Sequence, residues 1–151
     1  MRLYHHTDPV IVLRIAQTGI FRPIKGMSAD CLMNMASNVK DAKALAAKRG
    51  ATMVIEWDGE PASAANGNYE TLSPNVLYNE SWRYFVMPET DRHLKVTGVI
   101  LESDVTSVDN PDEPNLMRRI SGTPAQWTAS EFTTHIMLLF TELGSLKVVR
   151  P

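Results

Sequence analysis

The first twenty residues constrain the fold most, because they prescribe a strand that leads directly into a helix. The segment 2–6, RLYHH, is rich in β-prone residues. Thr7-Asp8-Pro9 then predicts a helix start, with a side-chain oxygen to cap the N-terminus and proline at the first helical position. We expect the helix over 9–18, with Gly19 in the left-handed position after its end and an extended segment at 20–22. The chain therefore mixes both kinds of element from its beginning.

The remainder of the chain predicts two more helices and several short strands. Asn38, followed by Asp41, predicts a helix over 38–49 that Gly50 ends. A Thr-x-x-Gln box at 123–126 predicts a third helix that continues to Gly144. Strands are predicted at 31–36, 51–57, 81–87, 94–101 and 145–149, with a long loop at 58–76 and irregular structure at 109–114. Residues 1–151 are thus expected to form a single α+β domain.

Composition excludes several classes of protein. Fifteen Lys and Arg against seventeen Asp and Glu give a net charge of −2, with 44% hydrophobic residues, as in ordinary globular domains. This charge argues against a protein whose main role is to bind nucleic acid, since that affinity comes largely from basic residues. The single cysteine, Cys31, cannot form an internal disulfide, so we expect a reducing, cytoplasmic location. No apolar run or signal-like leader predicts a membrane segment or export.

Sequence motifs for metals and phosphates are not found. His5 and His6 are neighbours on a predicted strand and point to opposite faces, so they do not converge on one ion. There is no His-Glu-x-x-His and no cysteine pair, and we expect no metal. Neither a Walker loop nor a Gly-x-Gly-x-x-Gly fingerprint occurs, and Cys31 is best interpreted as a small buried hydrophobe.

The order Leu3-Tyr4-His5-His6-Thr7, then a helix, then Gly19-Ile20-Phe21, resembles the opening of ADP-ribosyltransferase domains. Their first strand carries a Tyr-His-x-Thr motif before a helix. The resemblance assigns His5 to the motif histidine and Thr7 to its threonine. A histidine there can donate to a ribose hydroxyl of NAD, while the strand backbone pairs with the nicotinamide amide. The alternative is that His5 is an inward-facing core histidine and Tyr4 a packing residue.

A second segment extends the resemblance over residues 3–101. The stretch 79–86, NESWRYFV, followed by the 94–100 run, is similar to the late part of the same domains, where a catalytic glutamate precedes a strand. Glu80 takes the position of that glutamate, and Tyr78 and Trp82 take positions near the acceptor. A fixed carboxylate stabilises the positive charge that develops when the nicotinamide–ribose bond breaks. The alternative for Glu80 is a solvated acid at a strand edge.

The resemblance implies NAD as co-substrate, bound in a cleft beside the first strand. Its implied cofactor-binding residues are Tyr4, His5, Thr7, Phe21, Arg22, Asn34 and Ser37. The second motif strand contains no aromatic residue where many family members carry a tyrosine, so Phe21, Tyr69 and Trp82 are the alternatives for stacking on nicotinamide. Arg14 and Arg22 are the alternatives for the pyrophosphate, although each is also typical of a surface cation.

In fold and function, the resemblance implies a compact, split β-sheet core with about three helices and a mono-ADP-ribosyltransferase activity. Such a glycosyltransferase would be similar to bacterial and phage effectors and toxins that modify one macromolecular target. The near-neutral charge favours a protein acceptor over DNA or RNA. The alternative is a non-catalytic binding or inhibitor protein on a degenerate scaffold of the same kind, acting through a surface such as the helix expected to contain Trp127.

Overall fold

The computed structural model describes residues 1–22, 35–64, 72–90, 93–110 and 126–150. Within these ranges the chain has the predicted α+β character. The helices are α1 (Pro9–Thr18), α2 (Val39–Leu45) and α3 (Ala129–Leu143). The strands are β1 (Arg2–Thr7), β2 (Ile20–Phe21), β3 (Ala51–Glu56), β4 (Ala62–Ser63), β5 (Tyr78–Glu80), β6 (Arg83–Phe85), β7 (Lys95–Leu101), β8 (Ser107–Asp109), β9 (Gln126–Thr128) and β10 (Lys147–Val148). No helix in these ranges is long and apolar enough to cross a membrane.

The centre of the fold is an antiparallel sheet in the order β1-β3-β7. Alternate residues of its strands, including Leu3, Met53 and Ile55, are buried in one core. Helix α3 packs against β7, and α1 packs against β3 and α3. Burial of each such side chain contributes about 1.5–3 kcal/mol, so this sheet face and the two helices hold the domain together.

Two residues extend this sheet beyond β1. Tyr4 and Ala36 exchange backbone hydrogen bonds of 2.8 and 3.0 Å, and Met35 exchanges two bonds of 2.8 Å with Tyr84. Met35 and Ala36 therefore connect β1 to β6, which continues through β5 to β4. Of the strand predicted at 31–36, only these last two residues are described, and they are extended and paired as expected.

The first strand–helix unit forms as predicted. The Asp8 side chain accepts a hydrogen bond from the Val10 amide at 2.8 Å, and Pro9 occupies the first helical position. Gly19 ends α1 with a φ of 70°, and its amide donates to the Ile15 carbonyl. This left-handed residue turns the chain into β2, which pairs in parallel with β10 to form a second, two-stranded sheet.

Helix α2 is shorter than predicted. Its start is confirmed, since the Asn38 side chain accepts from the Asp41 amide at 2.9 Å. The expected end at residue 49 is wrong, because the backbone becomes extended at Ala46 with a ψ of 135°. The last residues before Gly50 instead carry the chain to the start of β3. Pairing of β3 with β1 requires this route, and that pairing outweighs the local helix preference.

Helix α3 begins later than the Thr-x-x-Gln box predicts. Its N-cap is Thr128, which forms a capping box with Glu131, and the expected helix start is wrong. Gln126 and Trp127 lie in β9, which pairs with the unpredicted strand β8. Residues 126–128 therefore give their backbone hydrogen bonds to a strand distant in sequence. Thr123 lies outside the described residues.

The range predicted as one strand, 81–87, contains the turn and the second strand of a hairpin that begins at Tyr78. β5 and β6 are joined by a two-residue turn at Ser81 and Trp82, in which Ser81 has a φ of 60°. Glu80 consequently ends a strand instead of preceding one. The strands predicted at 51–57, 94–101 and 145–149 are confirmed in position with shorter bounds, and the strand predicted at 2–6 extends to Thr7. The loop predicted at 58–76 additionally contains the short strand β4.

Candidate nucleotide groove

His5 lies where the central sheet meets the small β2/β10 sheet. It occupies the fourth position of β1, on the same side as the buried residues Leu3 and Thr7. Its half-buried ring makes an edge-to-face contact with Phe21 of β2, with 4.9 Å between ring centroids and an interplanar angle of 89°. The contact joins the two sheets at the position that the Tyr-His-x-Thr motif marks.

A groove of about 420 Å³ opens beside this contact, between α1 and β2. Its apolar surface comes from Val10, Ile11, Ile15, Ile20 and Phe21. Arg14 and Arg22 also line it. The Arg14 guanidinium donates to the Gln17 amide oxygen at 2.8 Å, and Arg22 donates to the Arg150 carbonyl at 3.2 Å. The groove combines an apolar surface with two permanent positive charges, as binding of an anionic aromatic ligand requires.

Glu80 lies at the end of β5, beside the hairpin turn. Its carboxylate pairs with the Arg83 guanidinium at 3.1 Å, and Arg83 lies 5.1 Å from the centroid of the Phe85 ring. Trp82 in the turn is 49% exposed, a large value for an indole. Tyr78 is buried by stacking on Phe85, and its hydroxyl accepts from the Ser73 amide at 2.9 Å. The hairpin thus presents one carboxylate and one exposed aromatic side chain.

The strand pairing determines which side chains share a face with His5. Met35 and Tyr84 are directly opposite, so their side chains lie on one face. Ala36, the next residue, points to the other face together with its partner Tyr4. Tyr84 therefore lies on the face of His5 and is half-buried there. No motif in the sequence singles out Tyr84, and only its register in β6 identifies it.

The same pairing puts Glu80 on the opposite face. Glu80 is opposite Arg83, the residue before Tyr84, so its side chain points away from the face of His5 and Tyr84. Burial agrees with this arrangement. Tyr84 packs against the main core, whereas Tyr78, which shares the face of Glu80, packs in a separate cluster. Phe21, Arg14 and Arg22 therefore line one groove, which His5 reaches only through its ring contact with Phe21, and Glu80 points to the other face of the sheet.

The other described residues that the resemblance assigns to NAD binding do not line the groove. Tyr4 is half-buried, and both of its backbone groups bond to Ala36, so they are not open to a ligand amide. Thr7 is buried at the end of β1, and Ser37 is exposed before α2. Asn34 and Tyr69 lie outside the described residues.

His6 is a structural histidine that the sequence motif does not identify. Its side chain is 1% exposed. The Gly50 amide donates to Nε2 at 3.4 Å, so Nδ1 carries the proton and donates to the Thr52 hydroxyl at 2.8 Å. Burial lowers the pKa of His6, although Glu102, 3.8 Å from Nε2, opposes that effect. The neutral ring ties β1 to β3 and to the residue that precedes β3.

A second, polar cavity of about 610 Å³ lies beyond His6. Lys43, Arg49, Gly50 and Glu102 contribute to its lining. Lys43 pairs with Glu102 at 3.0 Å, and this hydrogen bond is the main reason that the pKa of Glu102 is lowered. Among the residues that the structure describes, no group of three or more His, Cys, Asp or Glu side chains is arranged to hold a metal ion.

Comparison with known proteins finds no family model, no curated protein and no solved structure that matches the chain. The class that the structure defines is an α+β domain in which a small two-stranded sheet packs beside a larger one. The ADP-ribosyltransferase resemblance stays a prediction.

Proposed function

We propose that this protein is an NAD-dependent mono-ADP-ribosyltransferase whose dinucleotide binds in the groove between α1 and β2. The observation that carries the proposal is the contact of His5 with Phe21, a residue that itself lines the groove. It puts the motif histidine next to an apolar surface with two guanidiniums. A nucleobase, a pyrophosphate and a ribose hydroxyl each have a chemically matched partner in this arrangement.

The groove matches each part of NAD in turn. The aliphatic side chains of Val10 and Ile11 form a surface for the adenine base. Arg14 and Arg22 offer paired donors to the pyrophosphate, a geometry that guanidinium groups supply better than lysines do. His5 then donates to the ribose that carries nicotinamide, with Phe21 against the planar ring.

In the reaction, the bond between the nicotinamide nitrogen and ribose C1′ breaks, and nicotinamide leaves with the electron pair. A nucleophilic oxygen or nitrogen of the acceptor forms the new bond to C1′ and releases its proton to solvent water. Glu80 is the proposed carboxylate for stabilising the cationic transition state, oriented by its ion pair with Arg83. Preorganised electrostatic stabilisation of this kind typically contributes about a hundredfold or more to the rate.

The placement of Glu80 on the face opposite His5 favours a second candidate. In this candidate the protein binds a nucleotide in the groove and does not turn it over, as a binding or inhibitor protein. The two candidates share the groove and differ in whether Glu80 acts on the bound ligand.

Calorimetry with NAD tests the groove that both candidates share. We expect His5→Ala to weaken NAD binding about fivefold, since one hydrogen bond contributes roughly 1 kcal/mol. His93→Ala is the matched control, because His93 makes a similar edge contact with Trp57 at 4.9 Å, away from the groove. Wild-type protein that binds no NAD, or equal losses in both variants, would contradict the proposal.

Turnover separates the two candidates. Purified protein is incubated with labelled NAD and bacterial lysate, and label is scored in the protein and nucleic-acid fractions together with nicotinamide release. The enzyme candidate predicts that Glu80→Gln lowers turnover about a hundredfold or more and changes NAD affinity little, since the carboxylate acts mainly in the transition state. NAD binding without label or nicotinamide release would establish the binding protein.

A further inference from the structure

The segment from Asn38 to Gly50 has a charge opposite to that of the whole protein. It contains Lys40, Lys43, Lys48 and Arg49 against the single carboxylate of Asp41, in a chain with a net charge of −2. All four cations are exposed. Lys43 is paired with Glu102.

The other three cations, Lys40, Lys48 and Arg49, form no hydrogen bond or ion pair with any residue in the described ranges. We call these three residues the basic strip. Arg49 shares a cavity with Glu102 and helps to lower the pKa of that carboxyl, so its charge is partly compensated. Lys40 and Lys48 have no ion-pair partner among the described residues, and an anionic ligand can pair with both and share Arg49.

The basic strip follows, in the sequence, the two residues that pair with β1 and with the hairpin. Ala36 is bonded to Tyr4, and Met35 to Tyr84, so the antiparallel register brings the following residue, Ser37, to the level of Trp82. Helix α2 then packs along β1 over about 10 Å. Because α2 begins two residues after Ser37, the exposed indole of Trp82 lies close to the N-terminal end of the segment that carries the basic strip.

We infer that the basic strip and Trp82 bind single-stranded nucleic acid, with phosphates on the three cations and a base stacked on the indole. Base stacking on an exposed aromatic beside a row of cations is the usual arrangement for single strands. The inference rests on the proposed function and names its acceptor class. It departs from the protein acceptor that the overall charge favours, because charges more than about 10 Å apart are screened and a ligand responds to the local cluster.

An anionic membrane fits this surface less well. Membrane-surface helices bury large apolar side chains beside their cations. The exposed large hydrophobic residues of the described chain include none between Asn38 and Gly50, and α2 exposes alanine and lysine instead. Trp82 is thus the one exposed large apolar side chain assigned to this surface, fewer than a membrane-bound helix buries.

Fluorescence anisotropy with labelled oligo-dT and oligo-rU of about 16 nucleotides tests the inference on the full chain. Three phosphate contacts predict a log–log salt slope of about −2, which is a roughly twentyfold loss of affinity between about 50 and 200 mM NaCl. Lys40→Ala/Lys48→Ala should weaken binding at least tenfold and reduce the slope to about one third of its value. Lys95→Ala/Lys147→Ala removes two exposed lysines elsewhere and should leave affinity and slope within twofold of wild type, roughly the change expected for remote charges.

Trp82→Ala should weaken binding about tenfold with an unchanged salt slope, since stacking contributes roughly 1–3 kcal/mol per base. No binding of either oligonucleotide at low salt, or equal losses in the two double-lysine variants, would overturn the inference. So would binding to phosphatidylserine vesicles in place of oligonucleotide.

The NAD calorimetry is independent of these titrations. NAD binding without oligonucleotide binding would remove only this inference. Oligonucleotide binding without NAD binding would remove the proposed function and leave a nucleic-acid-binding surface.

Discussion

Substitution of Gly50 by alanine should be among the most damaging single changes in the described part of this protein. Gly50 has a φ of 120°, far from the left-handed value of about 57° that non-glycine residues tolerate best. A Cβ at this position would lie 2.8 Å from Cδ and 3.1 Å from Cγ of the Pro9 ring. Pro9 begins α1 and its ring is rigid, so the backbone has to move. The same shift would disturb the Gly50 amide that donates to buried His6.

The magnitude follows from two costs. An unfavourable φ costs about 1–3 kcal/mol, and overpacking of a filled site costs a further 1–3 kcal/mol or so. We therefore expect Gly50→Ala to lower the free energy of unfolding by about 3 kcal/mol or more, which is a fall in Tm of roughly 6–12 °C at this chain length. Gly144→Ala is the control, because Gly144 also has a positive φ, 79°, but its Cβ would meet nothing within 4 Å. We expect a loss there of about 1 kcal/mol.

Chemical denaturation monitored by circular dichroism measures both variants. A double-mutant cycle with Pro9→Ala isolates the ring contact, since removal of the ring should recover about 1 kcal/mol or more of the Gly50→Ala loss. Equal losses in Gly50→Ala and Gly144→Ala, with no coupling to Pro9, would refute the steric argument.

Three further predictions concern stability. Burial lowers the pKa of His6 below its ordinary value of 6.5, so as the pH falls the unfolded chain is protonated at His6 before the folded protein is. The contribution of His6 to the free energy of unfolding is therefore complete above about pH 6.5 and declines as the pH falls below it. Denaturation curves should show that the difference in free energy of unfolding between the wild type and His6→Gln becomes smaller as the pH falls below about 6.5. A difference that does not change with pH would contradict this prediction. Ser81→Gly should stabilise the protein by about 0.5–1 kcal/mol because it relieves the positive φ in the hairpin turn, as measured by urea unfolding. Thr128→Ala should remove the capping box of α3 and cost about 1 kcal/mol, which a thermal melt would show as a fall of roughly 2–4 °C.

The candidate site could be predicted from the sequence only in part. The resemblance points to His5, Phe21, Arg14 and Arg22; the last three line one groove, and His5 contacts it through the ring of Phe21. The face of the sheet to which the Glu80 side chain points could not be predicted from the sequence. It depends on the register between β5 and β6 and on the pairing of β6 with Met35 and of β1 with Ala36. A shift of one residue in any of those pairings would reverse it.

Short-range chemistry specifies the local structure, and this part of the fold can be predicted from the amino-acid sequence. Asp8 with Pro9, Asn38 with Asp41, and the glycines after α1 and α3 bound their helices through contacts a few residues apart, and the first strand–helix unit follows its prediction closely. Contacts between separate segments determine the end of α2 and the formation of a strand by Gln126 and Trp127. They also determine the face of the sheet on which each hairpin residue lies. In β9 and the hairpin, backbone hydrogen bonds to another strand outweigh a local preference of under about 1 kcal/mol per residue, and α2 ends where the chain has to reach the start of β3.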